Sequence, residues 1–328
     1  MRNELSRVIR SFLGIALLVA APATASAQGE RYAVVVQGAS GEEQYATLHR
    51  QWVDSLTKIL VERFKIDKTH VSVLTEQPRT GEERATAENV KTVLGRLAGQ
   101  VKAADLLFVL LIGHGGGEGA DAKFNLIGPD LGVADWAALL KPIPGRVAVV
   151  DSTSSSFAYL KGLAAPGRVV MTATNSFSQR YHTVFPDAFV RALTANDADV
   201  DKNGRISLLE AFNHASRLVT QHYEQSGHLA TERAVFDDTG DGVGRDAAGT
   251  GPDGTIAGLT YLDTVAMPTS SDPAVQEMLG RQKALTEQVD ELRRKRPTMA
   301  ADEFDREFEK LIVELALVSR DVRRKMGG

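Results

Sequence analysis

The chain has 328 residues, 43% of them hydrophobic and 24% charged, with a formal net charge of −4 at pH 7. That is apolar material for one large globular domain or two smaller ones and excludes a disordered chain, while the slight acidity offers no broad basic surface to a nucleic acid. Cysteine is absent, which removes disulfides, thiolate metal sites and thiolate catalysis together.

The N-terminus sets Arg2, Arg7 and Arg10 ahead of an apolar run from Phe12 to about Ala21, then small residues ending Ala25-Ser26-Ala27. This order predicts a signal peptide over 1–27 and export to the periplasm or beyond. The apolar run is too short to span a bilayer comfortably, and no later segment is long and apolar enough to do so.

From residue 28 short β-branched runs alternate with amphipathic stretches, which predicts an α/β domain over 28–267 with a mainly parallel sheet between helices. "RYAVVVQG" is the first strand, and Tyr45 to Phe64 the first crossover helix, with Leu48, Trp52, Leu56, Leu60 and Phe64 at helical spacing. "HVSVLT" and "ATAENVKTVLGRLAGQV" form the next strand and helix. "LLFVLLIG" is apolar almost throughout, as a strand covered on both faces is. "WAALLK", "RVAVVD", "FAYLKGLA" and "RVVMTAT" continue the alternation. The loops "GHGGGEG" and "DSTSSSF" follow two of these strands and should open on one rim, since ligands of open α/β sheets sit beyond the strands' carboxyl ends.

After a linker at Pro268, the segment 268–328 carries apolar residues at 3-4 spacing. Val275, Met278, Leu285, Val289 and Leu292 form one series, interrupted by Gln282; Phe304, Phe308, Leu311, Leu315, Val318 and Val322 form another. Two helices joined near Pro297 are expected, either as a hairpin on the chain's own domain or as a coiled-coil oligomer or partner surface.

The pair "LIGHGGGEG" and "VVDSTSSSF", each closing a strand about forty residues apart, resembles the caspase-like cysteine peptidases, a group that includes legumains and metacaspases. The resemblance covers roughly 31–263 and implies a caspase-like three-layer sandwich. By that resemblance His114 takes the place of the general base and Gly115 that of the oxyanion-hole amide. Asp151, Ser152 and Ser155 match the family's acid, small residue and serine, and Ser156 replaces its glycine. Thr153 stands where the family keeps its nucleophilic cysteine. An alcohol has no thiolate head start and must lose its proton to a well-oriented base, and the extra methyl crowds a pocket shaped for a slimmer side chain. The expectation is a non-catalytic or impaired peptidase homologue that binds peptide or protein. The alternatives are a secreted hydrolase using Thr153, Ser152 or Ser154 with His114, and a calcium-stabilised scaffold working through its C-terminal helices.

"DVDKNGRISLLE" fills a calcium loop of EF-hand type. Asp199, Asp201 and Asn203 stand at positions one, three and five, Gly204 at the turn, Arg205 offers its carbonyl, and Ser207 and Glu210 occupy nine and twelve. A structural Ca²⁺ is expected. Asp237, Asp238 and Asp241 form a second acidic turn with Ala248 where a closing Glu is needed, so a solvated loop is expected there. His182, His214, His222 and His228 show no paired metal-ligand spacing, and His214 and His222 read as surface residues. "HGGGEG" lacks the Lys-Ser/Thr of a phosphate loop.

Overall fold

A computed structural model describes residues 29–264 and 270–326. The signal-peptide and Pro268 expectations lie outside the described residues. Strand β1 (Arg31–Gln37) leads through α1 (Glu43–Lys58), extended by a π turn at Ile59–Arg63, to β2 (Val71–Thr75). The two-residue β3 (Glu83–Arg84), helix α2 (Ala87–Gln100) and β4 (Leu106–Ile112) follow. The short strands β5 (Gly115–Gly116), β6 (Lys123–Phe124) and β7 (Leu131–Gly132) precede α3 (Val133–Leu140). Then come β8 (Arg146–Asp151), α4 (Phe157–Leu163), β9 (Arg168–Thr172), α5 (Phe185–Ala192) and α6 (Leu208–Ser226). Strand β10 (Val235–Asp237), a turn of helix α7 (Thr255–Gly258), α8 (Pro273–Lys295) and α9 (Ala301–Met326) complete the order.

The main sheet runs β10-β9-β8-β4-β1-β2-β3, parallel except for β10, which pairs antiparallel with β9. Alternation along each strand sorts its side chains into two cores. Ala33, Val35, Phe108, Leu110, Val150 and Met171 face α1, α5 and α6. Val34, Val36, Val109, Leu111, Val149 and Val170 face α2, α3 and α4. Both faces are covered, so the strands read as continuous apolar runs, and the layering is the expected three-layer α/β sandwich.

The predicted crossover helix forms, but its buried stripe is His49, Trp52, Val53, Leu56 and Leu60, while Leu48 is exposed. Trp52, Leu56, Leu60 and Phe64 are buried as expected, and the difference is confined to the first turn, where His49 takes the inward place expected of Leu48. Gly115 and Gly116 differ from expectation too. They pair with Phe124 and Lys123 in a small antiparallel sheet, so the glycine stretch is partly strand and not a free loop.

Helices α8 and α9 form the hairpin, with Val275, Leu279 and Val322 at its core and Met278 and Val318 packed on them. Gln282, the interruption in the apolar series, donates from Nε2 to Ser319 Oγ at 2.9 Å across the seam, and Arg281 pairs with Glu314 at 2.6 Å. A polar pair at one seam level fixes register at a cost in stability. The hairpin also meets its own domain, where Arg294 donates to the Leu259 carbonyl at 3.4 Å. Among the described residues no helix is long and apolar enough to cross a membrane.

The three-layer packing predicts where substitutions hurt. Phe212 is fully buried between Phe185 and Phe236, so Phe212→Ala should cost about 3–5 kcal/mol in urea unfolding. Leu229→Ala, at a side chain that stands in solvent, should stay within about 0.5 kcal/mol.

Candidate functional site: the carboxyl rim of the sheet

The chain leaves β1 for β2 on one side and returns to place β4 on the other, so the strand order reverses between β1 and β4. A crevice opens beyond the carboxyl ends of two such strands because their connections leave in opposite directions. His114, two residues past β4, is half-buried there, and its Nε2 lies 3.1 Å from the carbonyl of Ser40, which follows β1. A carbonyl only accepts, so Nε2 is the donor in this contact, and Nδ1 is the nitrogen left to face a ligand or a proton.

Thr153 follows β8 on the same rim, against Gly115. A side chain on Gly115 would meet the Ser154 carbonyl at 2.4 Å and Thr153 Oγ1 at 2.9 Å, so glycine is required by this approach. The structure thus brings His114, Gly115 and Thr153 onto one rim, but His114 bonds Ser40 and Thr153 bonds Asp151, so the two are not paired with each other. Thr153 Oγ1 donates to Asp151 Oδ1 at 2.7 Å, and the Thr153 N–H donates to the same oxygen at 3.1 Å. The Thr153 side chain is 1% exposed. Ser152 and Ser154 are buried as well, with hydroxyls on the carbonyls of Leu111 and Gly115. Burial pushes the Asp151 carboxyl up to about 6 against the lowering effect of its Thr153 bonds, and its Oδ2 is buried without a partner.

The loop after β9 locks this arrangement. Thr183 Oγ1 donates to the Ser152 carbonyl at 2.6 Å, the Ser155 N–H to Gln179 at 3.0 Å, and the Ser156 and Thr174 hydroxyls lie 3.0 Å apart. Ser155 adopts φ +58°, a left-handed conformation held by these neighbours. Glu232, pushed up to about 7 by burial, accepts the N–H groups of Val184 and Phe185 and anchors the start of α5.

Two further histidines complete the rim. His49 on α1 is wholly buried, with Nδ1 3.2 Å from Ser40 Oγ; His182 is half-buried and stacks on Tyr45 with ring centres 4.5 Å apart. Nε2 of His49 and Nε2 of His182 are both buried without a partner. Burial, followed by the charges of neighbouring histidines, pushes His49 down to about 3 and His182 down to about 4. Spacing along the chain hid this cluster because its members come from three separate elements. The available signal was His49 itself, at the inward position of an amphipathic helix.

The EF-hand-type stretch closes as a loop. Carboxylate oxygens of Asp199, Asp201 and Glu210 lie within 4.8 Å of one another. Asp199 accepts from the N–H groups of Asn203 and Gly204, and Gly204 turns at φ +81°. Ser207 and Glu210 form a reciprocal cap at the start of α6. Arg205 pairs with Asp263 at 2.8 Å and lies over the Tyr261 ring, which clamps the loop onto the domain. The second acidic turn is a solvated loop only at Asp241, which is exposed as expected. Asp237 and Asp238 are buried because each neutralises backbone donors, Asp237 those of Thr239, Gly240 and Gly242, and Asp238 those of Gly254 and Ala257. His214 is not a surface residue, since it is 4% exposed and bonds Arg217.

Two clefts flank the Thr153 loop and share Phe157 and Gly242. One of about 590 Å³ is lined by Asn175, Arg245 and Asp246 among others; the other, of about 440 Å³, is more apolar, with Val133, Ala158, Leu160 and Phe177. Neither reaches Thr153 or His114.

No protein-family model matches the chain, and no curated protein matches it. Solved structures do. A Geobacter sulfurreducens protein determined by structural genomics is 14% identical with a TM-score of 0.43, over 63% of this chain and 92% of its own. The Drosophila initiator caspase Dronc is 9% identical with a TM-score of 0.43, over 75% of this chain and 94% of its own. At these values the likeness carries nothing about the chemistry of the rim.

The histidines give a pH signature. Their folded pKa values lie below the usual 6.5, so the unfolded chain takes up protons first, and the stability they confer is complete above pH 6.5 and lost as pH falls toward 4. Asp151, Glu232 and Asp253 are shifted up and pull the opposite way over an overlapping range, so a variant must be compared with wild type at each pH. The stability gap between wild type and His182→Gln should change by about 1 kcal/mol between pH 6.5 and 5, after allowance for solvent screening of this half-exposed ring, in the direction of favouring the variant at acid pH. Chemical unfolding at each pH measures it.

Proposed function

We propose that this protein is an exported caspase-like peptidase homologue without peptidase turnover, which binds peptide or protein at the carboxyl rim of its sheet and holds a structural Ca²⁺ in the 199–210 loop. The observation that carries the non-catalytic part is the Thr153 hydroxyl, buried and donating to Asp151 at 2.7 Å. A hydroxyl nucleophile needs a base within hydrogen-bond reach and an open face toward the carbonyl it attacks. Thr153 lacks the open face, since it is buried with its hydroxyl turned onto the Asp151 carboxylate, and His114 bonds Ser40 and not Thr153. The sequence pattern that resembles the peptidases is therefore read as an inherited frame with a sealed nucleophile position. Ligand binding draws support from the two clefts beside the Thr153 loop, of a size suited to peptide side chains.

Calcium draws support from donor chemistry. Asp199, Asp201 and Glu210 with the Asn203 side chain, the Arg205 carbonyl and Ser207 make an oxygen-only set, as a hard cation requires. Glu210 Oε1 accepts the N–H of Val200 at 2.9 Å and Oε2 that of Ser207 at 2.9 Å, so binding trades these bonds for the ion.

Two measurements check the proposal. Wild type and His114→Ala should show equal, background hydrolysis across a broad peptide library; turnover by wild type that His114→Ala abolishes favours the hydrolase alternative. Calorimetric titration with Ca²⁺ should give one equivalent of binding that Asp199→Ala loses, and equal heats from the two proteins would rule out this loop.

A further inference from the structure

We propose that His49, His114 and His182 form a binding site for one transition-metal ion of the zinc type, with its open coordination position at the rim. Their ring centres make a nearly equilateral triangle: 5.4 Å from His49 to His114, 5.8 Å from His49 to His182 and 5.9 Å from His114 to His182. The middle of such a triangle is about 3.3 Å from each ring centre, and an imidazole coordinated at a Zn–N distance of about 2.1 Å puts its ring centre about 3.2 Å from the ion. The triangle has the size of three imidazoles around an ion lying in their common plane, while the His49 and His182 rings are stacked within 10° of parallel, so one of them must turn before both present a nitrogen to it.

The nitrogens are divided in the way a metal site divides them. Ser40 holds one nitrogen on each of two rings, its carbonyl meeting His114 Nε2 at 3.1 Å and its hydroxyl meeting His49 Nδ1 at 3.2 Å. Such outer bonds fix the tautomer and orientation of metal-bound histidines. The opposite nitrogens are His114 Nδ1 and His49 Nε2, and the latter is buried without a partner, as is His182 Nε2. An unpartnered buried polar atom costs on the order of 1–3 kcal/mol, which an ion bound there recovers. Burial also keeps His49 and His182 neutral, the only form that ligates.

As the rings stand, one nitrogen from each does not come within 4.8 Å of the other two. Ser40 tethers His49 and His114, so the closing motion falls to the half-buried His182, by a turn about its broad χ2 torsion. A nitrogen-only donor set selects Zn²⁺, Co²⁺ or Ni²⁺ over Ca²⁺, whereas the oxygen-only 199–210 loop has the reverse preference. This inference is independent of peptide binding at the rim.

Co²⁺ is the probe, titrated into the purified protein in excess Ca²⁺, with Zn²⁺ then displacing it. The expected result is one equivalent of Co²⁺ with the intense visible bands of a four- or five-coordinate nitrogen site. His182→Gln and His114→Ala should each weaken Zn²⁺ by at least about 100-fold while circular dichroism is unchanged, and His222→Gln and Asp199→Ala should have no effect. The proposal is overturned if Co²⁺ does not bind, if binding survives either histidine variant, or if Asp199→Ala removes it.

Discussion

A carboxylate buried at the end of a central strand sets the terms for this rim. Asp151 closes β8 with no exposure to solvent, and a charge in that position must find donors or be neutralised. It finds the N–H and O–H of Thr153, two residues on, and so turns the strand end back on itself. The hydroxyl of Thr153 is spent on holding the loop. Around it, Thr183, Gln179 and the Ser156–Thr174 pair fasten the loop after β9 to the loop after β8. Opening Thr153 to solvent requires breaking bonds in several segments at once.

The same sheet gives the molecule two unlike ends. At the carboxyl rim, where the strand order reverses, stand imidazoles, aromatic rings and buried hydroxyls. At the opposite edge, Arg31 and Arg146 begin β1 and β8 beneath the acidic side chains of α8; Arg31 is nearly buried and pushed down to about 10 by burial and by Arg146 and Arg205. Glu287, Asp290 and Glu291 supply the compensating charge. The C-terminal hairpin is thereby joined electrostatically to the domain, at the end remote from the rim.

Much of the fold was legible because its cause is local. Strands covered on both faces must be apolar throughout, and each intervening helix carries its own stripe, so the order of the main elements and the hairpin could be read from the sequence. The polar Gln282 within that hairpin was visible too, but its partner Ser319 was not, since the two meet only across the seam. The site was half legible. Motif spacing placed His114, Gly115 and Thr153 on one rim, yet what the hydroxyl bonds depends on rotamers and burial, which spacing does not encode. The cluster of His49, His114 and His182 spans three elements and no pattern along the chain announces it. Asp237 and Asp238 were misread for a related reason: acidic residues beside glycines suit a solvated turn equally well as a buried cap, and only tertiary packing decides between them.

The claim most exposed to test is that the Thr153 hydroxyl is sealed. A hydroxyl-directed acylating probe such as a β-lactone, incubated with the protein at neutral pH and followed by intact-mass spectrometry and peptide mapping, reads its reactivity without assuming any substrate. The structure predicts no adduct at residue 153 in wild type. Stoichiometric acylation of Thr153 that disappears in His114→Ala would contradict the account.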